Sequence, residues 1–490
     1  MVTLNEVPAG VRTPFAFIEI DPSRAQQGPS VQTYRACLIG QKTSTGTLAE
    51  NTLRDVTSAD EVAALAGPGS ILHMMAIAFF RANNVTQTTI IALDDAGGGT
   101  AGTQTLTVTG SATANGSIFL YISGRRIVVP VTNGDAAATV AASIDTALQA
   151  SDVYAELPVT SGVAAAVVTL TAKNAGTQGN EVDVRENFLD GESTAAGISV
   201  AIATGVTGAT DPTLTAAIAA MGDVQFHTLA VGLNDTTSIG AIDTELADRF
   251  TASRQIEGHA FYGVIDTHAN LVTFGSGLNS KHSTVDGVED SPSQSWERAS
   301  SIMGLVSRFG AADPGRPFTT LEMSGIVAPP EASRFTLAER DILLKNGIAT
   351  TTVDVAGVVR LERVITTFQT NASGVASTAF LDVNVLLTLS FLRFDMRTQF
   401  VSTFPRFKLA ADGTRFGPGQ AVVTPRVARA FFLTVFAGWE TLGLVEDAEQ
   451  FETDLIVQIN VQDPNRLDVS LSPNLINQLR ILGASISFIV

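Results

Sequence analysis

An alternation of short apolar strands with amphipathic helices, begun near residue 34, broken at Asp95 and resumed after Asp211, constrains the fold more than any other feature of the chain. Alternation of that kind is how parallel sheets with helical crossovers are written. The first stretch predicts a strand at Tyr34–Gly40, a helix at Ala59–Leu65 with Ser58 and Glu61 as its capping box, an apolar helix at Ile71–Arg81 and a strand at Thr88–Leu93. At Asp95 the composition changes. Gly97-Gly98-Gly99 opens a Thr-, Gly-, Ala- and Ser-rich stretch, nearly free of lysine, that runs to about Val206. Its alternating segments Thr103–Thr109, Ser117–Ile122, Arg126–Val131 and Ala165–Ala172 predict strands, and Ala136–Ala150 a helix. Asp211-Pro212 then reads as an N-cap with proline in the first helical position. A helix at Thr213–Met221, a strand at Thr228–Gly232, a helix at Ser238–Ser253, a strand at Ala260–Ile265 and a helix at Ser293–Phe309, signalled by Ser291, Pro292 and Gln294, follow. The fold class expected is therefore α/β: a split core domain carrying an inserted β-rich domain.

A second capping box, Thr336 with Glu339, starts a helix at Leu337–Lys345, with strands at Ile348–Val355 and Val358–Phe368 and a long helix at Thr378–Gln399 beyond it. Residues 400–490 read as an α+β module with a Gly/Pro loop (Asp412 to Gly419), a helix starting at Thr424-Pro425 and a strand at Leu455–Gln462. Val427, Phe431 and Val435, flanked by Ala428, Phe432 and Phe436, predict that most of that helix is buried. The last segment, Leu482 to Val490, is apolar, strand-forming and without charge. Near the other end, Val11–Ile20 holds Phe15, Phe17, Ile18 and Ile20, with Pro8, Pro14 and Pro22 barring a helix. Strands not blunted by charge or proline need a partner, in the same chain or in a neighbour.

With 490 residues, 45% of them hydrophobic, the chain can build two to four domains. A net charge of -18 disfavours nucleic acid and anionic membrane as partners. Cys37 is the only cysteine, so an intrachain disulfide and a cysteine-rich metal site are excluded. No export signal and no membrane span are expected. Against the acidic whole, Arg393, Arg397, Arg406, Lys408, Arg415, Arg426 and Arg429 face only Asp395 and Asp412 within residues 393–429, a net of +5 that leaves -23 elsewhere. Arg426 and Arg429 fall in the first turn of a helix, where the dipole opposes cations. Either the acidic residues Glu440, Glu446, Asp447, Glu449 and Glu452 hold them, or an acidic partner does.

Catalytic motifs fail on context. Gly97-Gly98-Gly99-Thr100-Ala101-Gly102 fits a dinucleotide fingerprint, but a strand pattern follows it where a helix N-terminus is needed. Gly40-Gln41-Lys42-Thr43 lacks the other glycines of a phosphate loop and reads as a strand-ending turn. A hydrolytic triad must draw its base from His73, His227, His259, His268 or His282. Asp266, His268 and Ser276 lie near one another in sequence, yet no G-x-S-x-G presents the serine. His73, between apolar neighbours, reads as a core histidine. No cofactor or metal is expected.

Asp463-Pro464-Asn465-Arg466-Leu467-Asp468 and Ser472-Pro473-Asn474-Leu475-Ile476-Asn477-Gln478-Leu479-Arg480 resemble the end of contractile-tail sheath proteins of Mu-like phages. The opening Val7-Pro8-Ala9-Gly10-Val11-Arg12-Thr13-Pro14-Phe15, the Cys37 to Gln41 strand and the Asp412 to Phe416 loop are similar to the same family, so the resemblance spans the chain. It implies a core that is subtilisin-like by fold without protease activity, and hexameric rings stacked helically around a tail tube. It also implies extended arms at residues 1–30 and 482–490 that thread into the C-terminal modules (400–481) of neighbours. The core is then 31–95 plus 207–399, and the insertion, 96–206, is expected on the outer surface and dispensable for contraction. Released subunits would move as rigid bodies and drive the tube through a cell envelope. Partners implied are other copies, the tube protein, and baseplate and terminator proteins, in a virion tail assembled in the host cytoplasm. Arm side chains Phe15, Phe17, Ile18 and Ile20, and Ile486, Phe488 and Val490, must be buried to offset the entropy of ordering the arms. The seven basic residues become candidates to grip an acidic tube. A hydrolase, a small-molecule binder and another tail structural protein are the alternatives.

Overall fold

The computed structural model describes residues 32–489. The expected N-terminal arm residues Phe15, Phe17, Ile18 and Ile20, and Val490, lie outside them. Two compact units divide the described chain: 32–391 with 477–489, and 392–476.

The larger unit begins with β1 (Arg35–Gln41), β2 (Leu53–Val56), α1 (Ala59–Ala66), α2 (Ile71–Ala82) and β3 (Gln87–Leu93). The insertion supplies β4 (Thr103–Gly110), β5 (Gly116–Ile122), β6 (Arg125–Val131), α3 (Ala137–Gln149), β7 (Val159–Ala164), β8 (Val167–Ala172), β9 (Val184–Glu186) and β10 (Ile198–Thr204). The alternation resumes with α4 (Thr215–Met221), β11 (Thr228–Val231), α5 (Thr236–Arg249), β12 (His259–Ile265), α6 (His268–Ser276), β13 (Ser283–Val288) and α7 (Ser295–Ala312). It closes with α8 (Leu337–Lys345), β14 (Ile348–Val353), β15 (Val359–Arg363) and α9 (Val383–Thr403), and the boundary between the units falls within α9, at Phe391/Leu392.

One eight-stranded sheet organises this unit, in the order β15-β14-β13-β12-β11-β1-β3-β2. Neighbours from β14 to β3 are parallel, and the outermost pairs at both edges are antiparallel. Parallel strands buried on both faces read as continuous apolar runs, and β1 does so. Its Ala36 and Leu38 enter the core shared with α1, α2 and α7, while Cys37 and Ile39 enter the core shared with α4, α5 and α6. The central helix α7 is buried along most of its length and starts with a capping box between Gln294 and Glu297. It approaches the sheet closely at Gly263 of β12, where a Cβ would stand 2.3 Å from the Ser295 carbonyl oxygen.

Some expected boundaries moved for local reasons. Asp211 does not cap the next helix, because its carboxylate accepts the Thr177 backbone N–H (2.7 Å) and α4 begins four residues later, at Thr215. Ser58 caps α1 by accepting the Glu61 N–H, but Glu61 answers to Thr57 N–H instead of closing the box. The β15 strand ends at Arg363, short of the expected Phe368.

The insertion has its own core, closed by the antiparallel sheet β10-β4-β8-β7, the sheet β6-β5-β9 and α3. The smaller unit holds β16 (Lys408–Leu409), β17 (Val422–Val423), α10 (Pro425–Thr441), β18 (Val445–Glu446), α11 (Ala448–Asp454), β19 (Ile456–Ile459), β20 (Leu467–Ser470) and β21 (Asn474–Leu475). Its α10 is capped by Thr424 and buries Ala428, Phe432, Val435, Phe436 and Trp439. Val427 is 44% exposed, so the helix buries one stripe and not most of its surface.

Candidate subunit interface

The C-terminal segment is the most exposed apolar stretch of the described chain. From Ile481 to Ile489 no residue joins a strand, and Ile486 is 92%, Phe488 82% and Ile489 101% exposed. Alternation sets Ile486 and Phe488 on the face opposite Ser485, Ser487 and Ile489 if the backbone is extended. Within the smaller unit, β19 and β20 form a sheet of only two antiparallel strands. Among the described residues both its edges are open, and Ile456 is 56% exposed. A two-stranded sheet is marginal alone, and open edges are templates for an added strand.

The expected basic face lies in the same unit, around the loop between β16 and β17. Arg397, Arg406, Lys408, Arg415 and Arg426 are exposed, and Arg393 is partly buried. Lys408 Nζ donates to Gln420 Oε1 (3.0 Å). Asp412 accepts the Arg426 backbone N–H (3.0 Å), and its carboxyl is held below the usual range by a hydrogen bond from Thr424, that N–H and the Arg426 charge. Arg429 is turned inward: its guanidinium donates to the carbonyls of Leu455 and Glu452, at the negative end of α11. That contact explains a cation in the first turn of α10 without any partner.

In open α/β sheets, ligands bind outside the carboxyl ends of the strands. Here the insertion is hydrogen-bonded along part of that edge, at the ends of β1 and β11. Gln41, ending β1, donates from Nε2 to Asp95 Oδ1 and to the Ala175 carbonyl, both at 2.7 Å. Asn174 donates to the Lys42 carbonyl (2.9 Å) and Asp95 (3.0 Å), and accepts the Ile71 N–H that opens α2 (3.1 Å). Beyond β11, Asn234 accepts from Gln178 (3.0 Å) and donates to Glu181 (2.8 Å) and the Gly263 carbonyl (3.0 Å). Burial pushes the Glu181 carboxyl up. Lys173, held between the Pro68 and Ala155 carbonyls, has its pKa pushed down to about 8 by desolvation.

The candidate catalytic groups have structural duties. Asp266 accepts from Asn270 (2.8 Å), Thr267 caps α6, His268 Nε2 meets the Glu339 carbonyl (3.1 Å), and Ser276 Oγ donates to the Thr273 carbonyl (2.9 Å). His268 and Ser276 stand at opposite ends of α6 and cannot meet. His73 is a satisfied core histidine, its Nδ1 accepting the Gly69 N–H (3.0 Å). Gly97 to Gly102 form the turn into β4, with no helix behind them.

Family models described as the phage tail sheath protein central domain and the phage tail sheath C-terminal domain match residues 207–367 and 375–489. A Mu-like prophage tail sheath protein from Haemophilus influenzae is 34% identical over 489 residues, covering all of both chains. The chain belongs to the phage tail sheath family. The sheath of an extracellular contractile injection system, solved in its contracted state, shares the fold at 8% identity and a TM-score of 0.50, over 98% of each chain. A sheath tail protein from Listeria innocua is 13% identical with a TM-score of 0.48, over 92% of this chain and 94% of its own.

The sheath protein is a structural subunit of a contractile tail sheath. The root of its C-terminal segment carries contacts that sequence reading missed. Gln478 Nε2 donates to the Gly315 carbonyl (2.8 Å), and Arg480 pairs with Asp382 (2.6 Å). Pattern alone could not single them out, since a lone arginine and glutamine between apolar residues fit any exposed strand.

Proposed function

We propose that copies of this chain polymerise as stacked hexameric rings around a tail tube, joined by strands donated from their termini, and contract to drive the tube through the host envelope. The observation that carries this reading is the run of exposed apolar residues at Ile481–Ile489, taken together with a β19–β20 sheet that has two open edges among the described residues. A donated strand makes backbone hydrogen bonds worth about 0.5–1.5 kcal/mol each, which do not offset ordering costs of ~1–2 kcal/mol per residue. Burial of apolar arm side chains such as Ile486 and Phe488, roughly 1.5–3 kcal/mol each, is therefore required as well. Repetition over several neighbours then makes the lattice durable, and head-to-tail links extend as a helix.

In this reading the arms are residues 1–30 and 482–490, the core is subtilisin-like by fold and without catalysis, the insertion lies outermost, and 400–481 faces the tube. Arg393, Arg397, Arg406, Lys408, Arg415 and Arg426 grip an acidic tube wall through charge pairs that detach on contraction, while Arg429 positions α10 against α11. Further partners are baseplate and terminator proteins, and the subunits join a virion tail in the host cytoplasm. Removing residues 482–490 tests the reading: negative-stain images are expected to show hollow cylinders for the full chain and dispersed particles for the truncated one. Cylinders formed equally by both contradict it. Reversing Arg415 and Arg426 to Glu is expected to block assembly on tubes while leaving self-assembly intact; unaltered loading onto tubes removes the charge grip.

A further inference from the structure

Strand donation accounts for the end of the chain but not for where the donated segment is held. The chain leaves the smaller unit at Ile476, whose N–H donates to the Leu444 carbonyl (3.1 Å) beside the β18–β21 pair. Residues 477–489 group with the α/β unit. There Arg480 Nη1 meets Asp382 Oδ1 at 2.6 Å, with the two side chains only 24% and 16% exposed. Asp382 is itself fixed twice: it takes Nε and Nη2 of Arg363, on β15, at 3.1 and 3.2 Å, and its backbone bridges to Ile365. Gln478 donates to the Gly315 carbonyl (2.8 Å) and accepts from Arg480 Nε (3.0 Å). A carboxylate shared by two shielded arginines is a stronger joint than an exposed pair.

We propose that Arg480 is the anchor of the C-terminal arm, pinning its root to the edge strand β15 of the eight-stranded sheet. Resting on the strand-donation reading, this assigns Arg480 a positioning role with two mechanical consequences. The donated length is limited to residues 481–490, a reach of about 35 Å when fully extended. Tension from a neighbour passes through Arg480 and Asp382 into the α/β unit, and the smaller unit is spared the load. An anchored root is also ordered before the arm docks, which raises the affinity of each link.

The test uses the full chain with Arg480→Gln and Arg480→Lys, the truncation at 482–490 as control, and two measurements: monomer melting temperature and the critical concentration for forming cylinders. Arg480→Gln is expected to melt like the wild type while its critical concentration rises about tenfold, as loss of one charge-assisted hydrogen bond implies. Arg480→Lys recovers most of that rise, because a single cation suffices for Asp382 Oδ1. Wild-type assembly by Arg480→Gln, with the truncation inactive, overturns the anchor and leaves strand donation standing. A lower melting temperature with an unchanged critical concentration marks a merely structural contact and also overturns it. Normal assembly by the truncated chain removes both ideas together.

Discussion

Gly304 shows how closely α7 packs on α2: a Cβ there would stand 2.9 Å from Ala82 Cβ and 3.2 Å from the Phe79 carbonyl oxygen. Neither neighbour is the end of a flexible chain, so Gly304→Val is expected to lower unfolding free energy by about 1–3 kcal/mol. Urea denaturation of the monomer checks this, and an unchanged midpoint contradicts it. Buried histidines set a second expectation. Desolvation lowers His73 and His227 to about 4 and His259 to about 3, against 6.5 for a free histidine. The unfolded chain binds protons at these sites below pH 6.5 and the folded chain does not, so their stabilisation is lost as pH falls from 6.5 toward the folded values. Asp243, raised to about 6 by burial, works in the opposite sense and offsets part of it. Replacing His259 by Asn is expected to reduce the pH slope of stability between pH 6 and 4 by about 1.4 kcal/mol per pH unit. Equal slopes for the two proteins count against a neutral buried His259.

Among the elements, the insertion is the one whose attachment matters most. Because Asn174 is 4% exposed and serves Asp95, Lys42 and Ile71 at once, Asn174→Ala leaves buried groups unpaired, at about 1–3 kcal/mol. Limited proteolysis is expected to cut such a variant faster at residues 97–99 and 204–210 than the wild type; identical cleavage rates would show a loose tether. The same joint qualifies the expected dispensability of the insertion. Excising 96–206 takes the Ala175 carbonyl from Gln41 and both Gln178 and Glu181 from Asn234, leaving them only Asp95 and the Gly263 carbonyl, so the excised chain is expected to melt lower than the full one. Most elements were legible because propensity, caps and periodicity agreed, as at β1, α2 and α8, whose Thr336–Glu339 box formed as written. The strand β13 was not, because Ser283-Thr284-Val285-Asp286-Gly287-Val288 hides its burial behind polar side chains. Asp286 is tolerated there only through Arg298 of α7, 2.6 Å away, a pairing invisible until the fold brings residues 286 and 298 together. Short elements such as α6, α11 and β20 escaped because about two repeats of the helix or strand period are too few to stand out from chance. Of the candidate interface, the apolar character of residues 481–489 was legible, whereas the inward turn of Arg429 and the pairing of Arg480 with Asp382 depend on tertiary carbonyls and carboxylates.

At the scale of the whole molecule, an acidic chain carries one basic neighbourhood, an insertion hydrogen-bonded along part of the carboxyl edge of its sheet, and a terminal segment that joins no strand among the described residues. Those features suit a part that is pulled and rotated within a lattice, where strength resides in links between copies. The most direct test is a cryo-EM reconstruction of the cylinders that the purified chain is expected to form, at a resolution that traces the termini. The backbone of residues 482–489 is expected to hydrogen-bond to the open edge of β19 or β20 in another subunit, with Ile486 and Phe488 buried against it. A reconstruction in which that segment pairs only within its own subunit, or projects unpaired into solvent, contradicts the coupling.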